Sequence, residues 1–211
     1  GSAFCSNSYC PHNYEGASIG TVSLKQAFIW SYNTPAVRLL SQTGINESFS
    51  YLKHFSFKKV TEQDYVLPAA LGGFAHSISP FELTSAYTSF HDGSYQQPRA
   101  IRMVTDLHGN KLYEWNDRPV QVWSTQTVNK MRSLLSSVIK EVTARRADFA
   151  SDGYIGGKTG TTNGTRDLWF IGLSDNYTTG VWVGKDTPAN IDYIGQPQLT
   201  IWRDLMRGLF H

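Results

Sequence analysis

From Gly153 onward the sequence changes its period, and no other feature of its 211 residues constrains the fold as tightly. Tyr154-Ile155, Asp167 to Leu173 and Tyr177 to Gly184 are β-branched and aromatic runs. Asn163-Gly164 and Asp175-Asn176 break them, so they read as three sequential antiparallel strands. A stretch from about Gln198 to Leu209 then carries Leu199, Trp202, Leu205, Met206 and Leu209 on one side, as an amphipathic closing helix does. Helical signals dominate before Gly153. Helices followed by a strand meander and a terminal helix make an α+β pattern.

The helical signals are local and can be placed residue by residue. Ser23 with Gln26 is a capping box ahead of Ala27-Phe28-Ile29-Trp30, predicting a short helix from Leu24 to Trp30. Thr34-Pro35 reads as an N-cap with Pro at the first helical position, and Gly44 as the stop. Ser31-Tyr32-Asn33 is thereby assigned to a short connection between two helices. Further helices are predicted from Asn46 to about Phe55 and from the Ser79-Pro80-Phe81-Glu82 capping box through about Phe90, closed by Asp92-Gly93. Val128, Met131, Leu135 and Val138 predict a long helix from Ser124 to Ile139. Arg99 to Thr105, the turn Asp106 to Asn110, and Lys111 to Trp115 read as a hairpin. Residues 3–20 are rich in Ser, Asn, Tyr, Pro and Gly and read as loop.

Composition excludes several classes. Hydrophobic residues make up 40% and charged ones 17%, enough apolar surface to offset the entropy of folding, so a disordered polyelectrolyte is ruled out. The formal net charge of +2, with no basic cluster, gives no reason to expect a nucleic-acid partner. No apolar run approaches the roughly 18–20 residues of a membrane helix, and no signal peptide is visible at Gly1-Ser2-Ala3-Phe4. Any anchor or targeting segment would lie outside this chain. Cys5 and Cys10 are the only cysteines. They suit either a local disulfide in an oxidising compartment or two free thiols, but not a zinc site, which would need a second ligand pair.

Gly156-Gly157-Lys158-Thr159-Gly160-Thr161-Thr162 is the stretch richest in chemistry. A phosphate loop would need Gly at position 152, which is Asp, and a helix starting at the lysine, where strand-like sequence follows instead. The alternative is a strand with Lys-Thr-Gly on a cleft wall. Gly160 would let a ligand approach the strand edge, Lys158 would supply positive charge, and the hydroxyls of Thr159 and Thr161 would bind a carboxylate. Such a site suits an anionic peptide terminus docked edge-on. Taken alone, Lys-Thr-Gly would equally describe a surface strand.

Ser31-Tyr32-Asn33 shifts that balance. A Ser-x-Asn between two helices, upstream of a strand-borne Lys-Thr-Gly, resembles the transpeptidase domain of penicillin-binding proteins, whose motif order is Ser-x-x-Lys, Ser-x-Asn, Lys-Thr-Gly. Other stretches resemble the class A, bifunctional branch: Tyr9 to Tyr14 with Gly20 to Leu24, Leu71-Gly72-Gly73 with Ser79 to Leu83, Asp167 to Gly172, and Gly180 to Gly184. The likeness runs from Tyr9 to the last helix. It implies a penicillin-binding/serine β-lactamase-like transpeptidase fold, an antiparallel sheet flanked by helices.

One element of that pattern is not found in its place. Ser56 to Lys59 and Ser137 to Lys140 match Ser-x-x-Lys literally, but both follow Ser-x-Asn, so both read as coincidence. The resemblance then implies that residues 1–211 are the C-terminal portion of one transpeptidase domain, with the nucleophile on an upstream segment and this chain inactive alone. The implied activity is D,D-transpeptidation: a serine acyl-enzyme forms on a peptidoglycan stem peptide, is resolved by a second stem peptide, and is trapped by β-lactams. Ser31 would relay a proton to the leaving nitrogen, Asn33 would bond the substrate backbone or hold the missing lysine, and Lys158 would add charge beside Ser31. Thr159 and Thr161 would hold the carboxylate, Gly160 would leave room, and the Thr161 N–H would contribute to an oxyanion hole. Implied partners are stem peptides, β-lactams and the N-terminal fragment, at the extracytoplasmic face of a bacterial membrane, with no metal or cofactor. A non-catalytic recognition module of the same fold is the alternative. His54, His76, His91 and His108, and Trp169 with Trp182, read as structural, and Asn176-Tyr177-Thr178 as a meaningless glycosylation triplet.

Overall fold

The computed structural model describes residues 4–6, 8–14, 16, 20–162, 164–193 and 195–210. Its first half is helical: α1 (Leu24–Ile29), α2 (Asn33–Thr43), α3 (Ile45–Leu52) and α4 (Pro80–Tyr87), the last continued by a 3-10 turn over Thr88–Phe90. Both predicted capping boxes form, Ser23 with Gln26 and Ser79 with Glu82. Gly44, at φ 96°, joins α2 directly to α3, a backbone angle that a side chain would strain.

The start of α2 differs from expectation. Thr34 does not cap it; the helix begins at Asn33, two residues before the predicted first residue Pro35, with Tyr32 in the N-cap position. The Thr34 N–H donates instead to Asn13 Oδ1 at 3.2 Å, and Thr34 Oγ1 to the Pro11 carbonyl at 3.3 Å. A residue 21 positions upstream thus satisfies a donor that a local cap would otherwise have taken. Cys5 and Cys10 are disulfide-bonded, closing the loop just before this segment.

Two small ribbons follow. β1 (Ser94–Tyr95) is paired antiparallel with a later strand, and β2 (Met103–Thr105) forms the predicted hairpin with β3 (Lys111–Glu114), bulged at Val104/Thr105. β4 (Val120–Gln121) is the partner of β1, a pairing the sequence reading missed. The long helix is α5 (Thr125–Glu141), capped by Ser124. The main sheet comprises β5 (Gly156–Thr161), β6 (Asp167–Leu173) and β7 (Thr178–Gly184), antiparallel in chain order. The predicted turn at Asn163 lies outside the described residues. The closing helix is α6 (Pro197–Leu209).

The sheet is covered on both faces. Phe170 on β6 meets Trp202 of α6 edge-on at 5.1 Å, and a Cβ at Gly172 would stand 2.4 Å from the Trp202 ring, so α6 packs directly on that backbone. On the opposite face, a Cβ at Gly180 would strike Thr84 of α4, and one at Gly156 the Ser136 amide of α5. A core of Ile29, Val138, Ile139, Ile155, Phe170, Leu199, Trp202 and Met206 runs through these layers. The stripe predicted for α6 is narrower than expected. Leu199, Trp202 and Met206 are buried beside Gln198, whereas Leu205, at the stripe's edge by helical rotation, and Leu209, in the last turn, are exposed.

Candidate active site

Lys158 sits mid-strand in β5, opposite Ile171 of β6. Among the described residues β5 pairs with β6 alone, so its other edge is open. Side chains alternate along a strand, which puts Lys158 on the α4/α5 face and Thr159 and Thr161 on the α6 face. The start of β5 is fixed by contacts that no sequence signal announced. The Tyr154 N–H donates to Asp175 Oδ2 at 2.8 Å, its hydroxyl to the Arg132 carbonyl at 3.0 Å, and the Arg132 guanidinium lies 3.7 Å from the Tyr154 ring centroid.

Ser31 reaches the site from the other side. It is the residue after the C-cap of α1, with φ 56°, a left-handed conformation usually left to glycine. Its N–H donates to the Phe28 carbonyl at 3.1 Å, and the Tyr32 N–H to the Ala27 carbonyl at 2.9 Å. That bond pair is the Schellman helix ending, here with serine in the position glycine favours. The geometry turns the hydroxyl of Ser31 toward Lys158. α1 itself is held on α5 by the Lys25–Glu141 ion pair at 2.6 Å and by Thr143 Oγ1 donating to the Ile29 carbonyl at 3.0 Å.

The two elements meet where the Lys158 ammonium donates to Ser31 Oγ, across 127 positions of sequence. The same ammonium donates to the Thr159 carbonyl at 3.0 Å and lies 5.9 Å from the Phe28 ring centroid. Burial pulls its pKa down from 10.5 to about 8, because a desolvated ammonium is disfavoured. Asn33, in the first turn of α2, donates its side-chain amide to the His12 carbonyl at 2.8 Å and so fixes the segment after Ser31. Thr159 and Gly160 are half-buried and Thr161 is exposed at the open end of β5. Trp169 lies opposite both Gly160 and Trp182, whose indole donates to Asp167 Oδ1 at 2.8 Å, consistent with strand packing.

The coincidental Ser-x-x-Lys of α5 forms no dyad: Lys140 pairs with Asp148 at 2.6 Å, and Ser137 bonds Glu141. His91 Nε2 lies 2.8 Å from Thr178 Oγ1, tying the α4 end to β7.

An antiparallel sheet that presents Lys-Thr-Gly on an open edge strand, bonded through its lysine to a Ser-x-Asn serine between helices, defines a transpeptidase-type domain. Residues 5–187 match the family model described as the penicillin binding protein transpeptidase domain, and the chain belongs to that family. Penicillin-binding protein 4 of Bacillus subtilis is 50% identical over 212 residues, which covers 99% of this chain and 34% of that relative. The chain therefore spans about a third of that relative's length. Among solved structures, the penicillin-binding protein PonA1 of Mycobacterium tuberculosis aligns over 99% of this chain and 61% of its own, with a TM-score of 0.82 at 19% identity. A structure of PonA1 in complex with penicillin V aligns over 97% of this chain and 62% of its own, with a TM-score of 0.76 at 19% identity.

Proposed function

We propose that residues 1–211 form the C-terminal portion of a class A D,D-transpeptidase domain, which cross-links peptidoglycan stem peptides through a serine acyl-enzyme. The observation that carries this reading is the Lys158–Ser31 hydrogen bond. A hydroxyl whose lone pair is engaged by an ammionium-type donor keeps its own proton directed outward and can pass it to a leaving nitrogen. In this reading Ser31 is that relay, Lys158 holds it polarised, and Asn33 positions the substrate backbone beside it. Thr159 and Thr161 bind the terminal carboxylate along the open edge of β5, while Gly160 leaves room for the peptide. The Thr161 N–H donates to the developing oxyanion.

In this reading the nucleophile is a serine of a Ser-x-x-Lys segment upstream of residue 1, since no Ser-x-x-Lys precedes Ser31 in this sequence. Its hydroxyl oxygen bonds to the carbonyl carbon between the two terminal D-Ala residues, and the terminal D-Ala leaves as the free amine. The amine of a second stem peptide then attacks the acyl carbon, forming the cross-link and freeing the serine. A β-lactam acylates the same serine in this reading, which the solved complex of PonA1 with penicillin V supports. The site works at the extracytoplasmic face of a bacterial membrane, a setting in which the Cys5–Cys10 disulfide persists.

Labelling the full-length protein with a fluorescent penicillin and mapping the modified peptide tests this. The label should fall on a serine of an upstream Ser-x-x-Lys, and Ser31→Ala should slow acylation by about 100-fold or more. Label on Ser56 or Ser137, or no label at all, would overturn the reading.

A further inference from the structure

Thr162 and Asp167, on either side of the turn after β5, are joined by three hydrogen bonds. The Thr162 N–H donates to the Asp167 carbonyl at 3.2 Å, which extends the β5/β6 register one pair beyond Thr161 and Leu168. The usual return bond of such a pair, from the Asp167 N–H to the Thr162 carbonyl, is replaced. The Asp167 N–H donates instead to Thr162 Oγ1 at 2.9 Å, and the Thr162 carbonyl accepts the Thr165 N–H at 3.0 Å. Thr162 Oγ1 in turn donates to Asp167 Oδ2 at 3.1 Å. The other carboxylate oxygen, Oδ1, accepts the Trp182 indole N–H at 2.8 Å. Gly184, the residue opposite Asp167, leaves that indole room, since a Cβ there would stand 2.3 Å from the ring. One carboxylate thus ties the end of β5 to β7 through the strand between them.

This clasp lies one peptide beyond Lys158-Thr159-Gly160-Thr161 and sets the direction of the strand end. Successive N–H groups of a strand point to opposite edges. With the Thr162 N–H turned into the sheet, the Thr161 N–H faces the open edge of β5, where the transpeptidase reading puts the developing oxyanion. Such a donor is effective only when its direction is fixed before the charge develops. The last peptide of a strand is also where a ladder opens most easily. We infer that Asp167 is a positioning residue: through Thr162, and with Trp182 behind it, it holds the end of β5 so that the Thr161 N–H is aimed at the reacting carbonyl oxygen. The inference rests on the transpeptidase reading and adds to it a residue that acts through its neighbours.

The test is acylation of the full-length protein by an excess of fluorescent penicillin, which separates reversible binding (K) from the acylation step (k2). Thr162 is exposed, so Thr162→Val removes the hydroxyl at little cost to the fold. Thr162→Val and Asp167→Ala should each lower k2 about ten-fold while K changes by less than about two-fold. The double variant should be no slower than the slower single one, because both break the same clasp. Asp167→Asn should keep k2 within about two-fold of wild type, since its amide oxygen can accept the indole and its amide N–H can donate to Thr162 Oγ1. Phenylboronic acid, whose tetrahedral anionic adduct with a serine imitates the oxyanion, should inhibit Thr162→Val and Asp167→Ala about ten-fold more weakly than wild type. An unchanged k2, a loss confined to K, undiminished inhibition by the boronic acid, or Asp167→Asn as slow as Asp167→Ala would each overturn the proposal. A wild-type protein that the penicillin does not acylate would instead refute the transpeptidase reading beneath it.

Discussion

Lys158 should give the protein a pH signature in which activity and stability move in opposite directions. Its ammonium has a pKa of about 8 when folded, against 10.5 for an ordinary lysine, because burial disfavours the charge. If the charge is needed beside Ser31 and the substrate carboxylate, acylation falls with the protonated fraction: about ten-fold between pH 7 and pH 9. Stability changes with the opposite sign. Between pH 8 and pH 10.5 the unfolded chain keeps a proton that the folded one has released, so the free energy of unfolding rises with pH. The slope is about 1 kcal/mol per pH unit at most, less where solvent screens the half-buried side chain. Below pH 8 both states are protonated and the slope vanishes. Above pH 10 the buried Tyr87, whose pKa is pushed up to about 12, contributes the opposite slope, so the usable window is pH 8 to 10.

The assay is the acylation rate of the full-length protein by a fluorescent penicillin from pH 6.5 to 9.5, with urea unfolding over the same range. Lys158→Arg carries a charge that does not titrate here, so it should abolish the alkaline limb even if its absolute rate is lower. Lys158→Met should remove the rise in stability between pH 8 and 10. An alkaline limb at the same pH in Lys158→Arg, or a wild-type rate constant through pH 9, would refute the argument that Lys158 works as a buried cation.

Two further outcomes follow from the packing. Ser31→Ala and Ser31→Gly both remove the hydroxyl and should both lose acylation, yet Ser31→Gly should be the more stable by about 1 kcal/mol, since glycine adopts the left-handed turn without strain; thermal unfolding of the two variants decides it. Gly172→Ala should cost about 1–3 kcal/mol by driving a methyl into Trp202, with Trp202→Phe recovering part of the loss in a double-mutant cycle.

What the sequence disclosed divides along the range of the interactions. Ser23 with Gln26 and Ser79 with Glu82 act over three residues, and both helix starts were legible. The cap of α2 comes from Asn13, and nothing local to Thr34 marks an acceptor 21 residues away. The hairpin of β2 and β3 was legible through its turn, where Asp106 accepts the His108 and Asn110 amides, but its strand ends were not, because both faces are exposed and impose no alternation. The pairing of β1 with β4 spans strands of two residues, too short to carry a period. The anchoring of β5 by Arg132, Tyr154 and Asp175 joins three segments that share no motif. The site motifs were legible only as an order along the chain; that Lys158 touches Ser31 required the fold.

The least legible feature explains most about the site. A helix ending of the Schellman type ordinarily carries glycine at its left-handed position, so a pattern reader looks for glycine and finds Ser31. Serine there costs of the order of 1–2 kcal/mol, and such strain persists only where neighbours over-determine the conformation. The neighbours are present: the paired backbone bonds to Phe28 and Ala27, Asn33 on His12, Thr34 on Asn13 and Pro11, and Thr143 on Ile29. Glycine would end α1 more cheaply but offers no hydroxyl. A straight helical continuation would keep the hydroxyl but aim it along α1, whereas the chain reversal sets it on an ammonium carried by a strand 127 positions away. The strain is thus borne at the residue whose orientation the site depends on, and the N-terminal segment from Pro11 to Asn13, remote in sequence and without chemistry of its own, helps to hold it there.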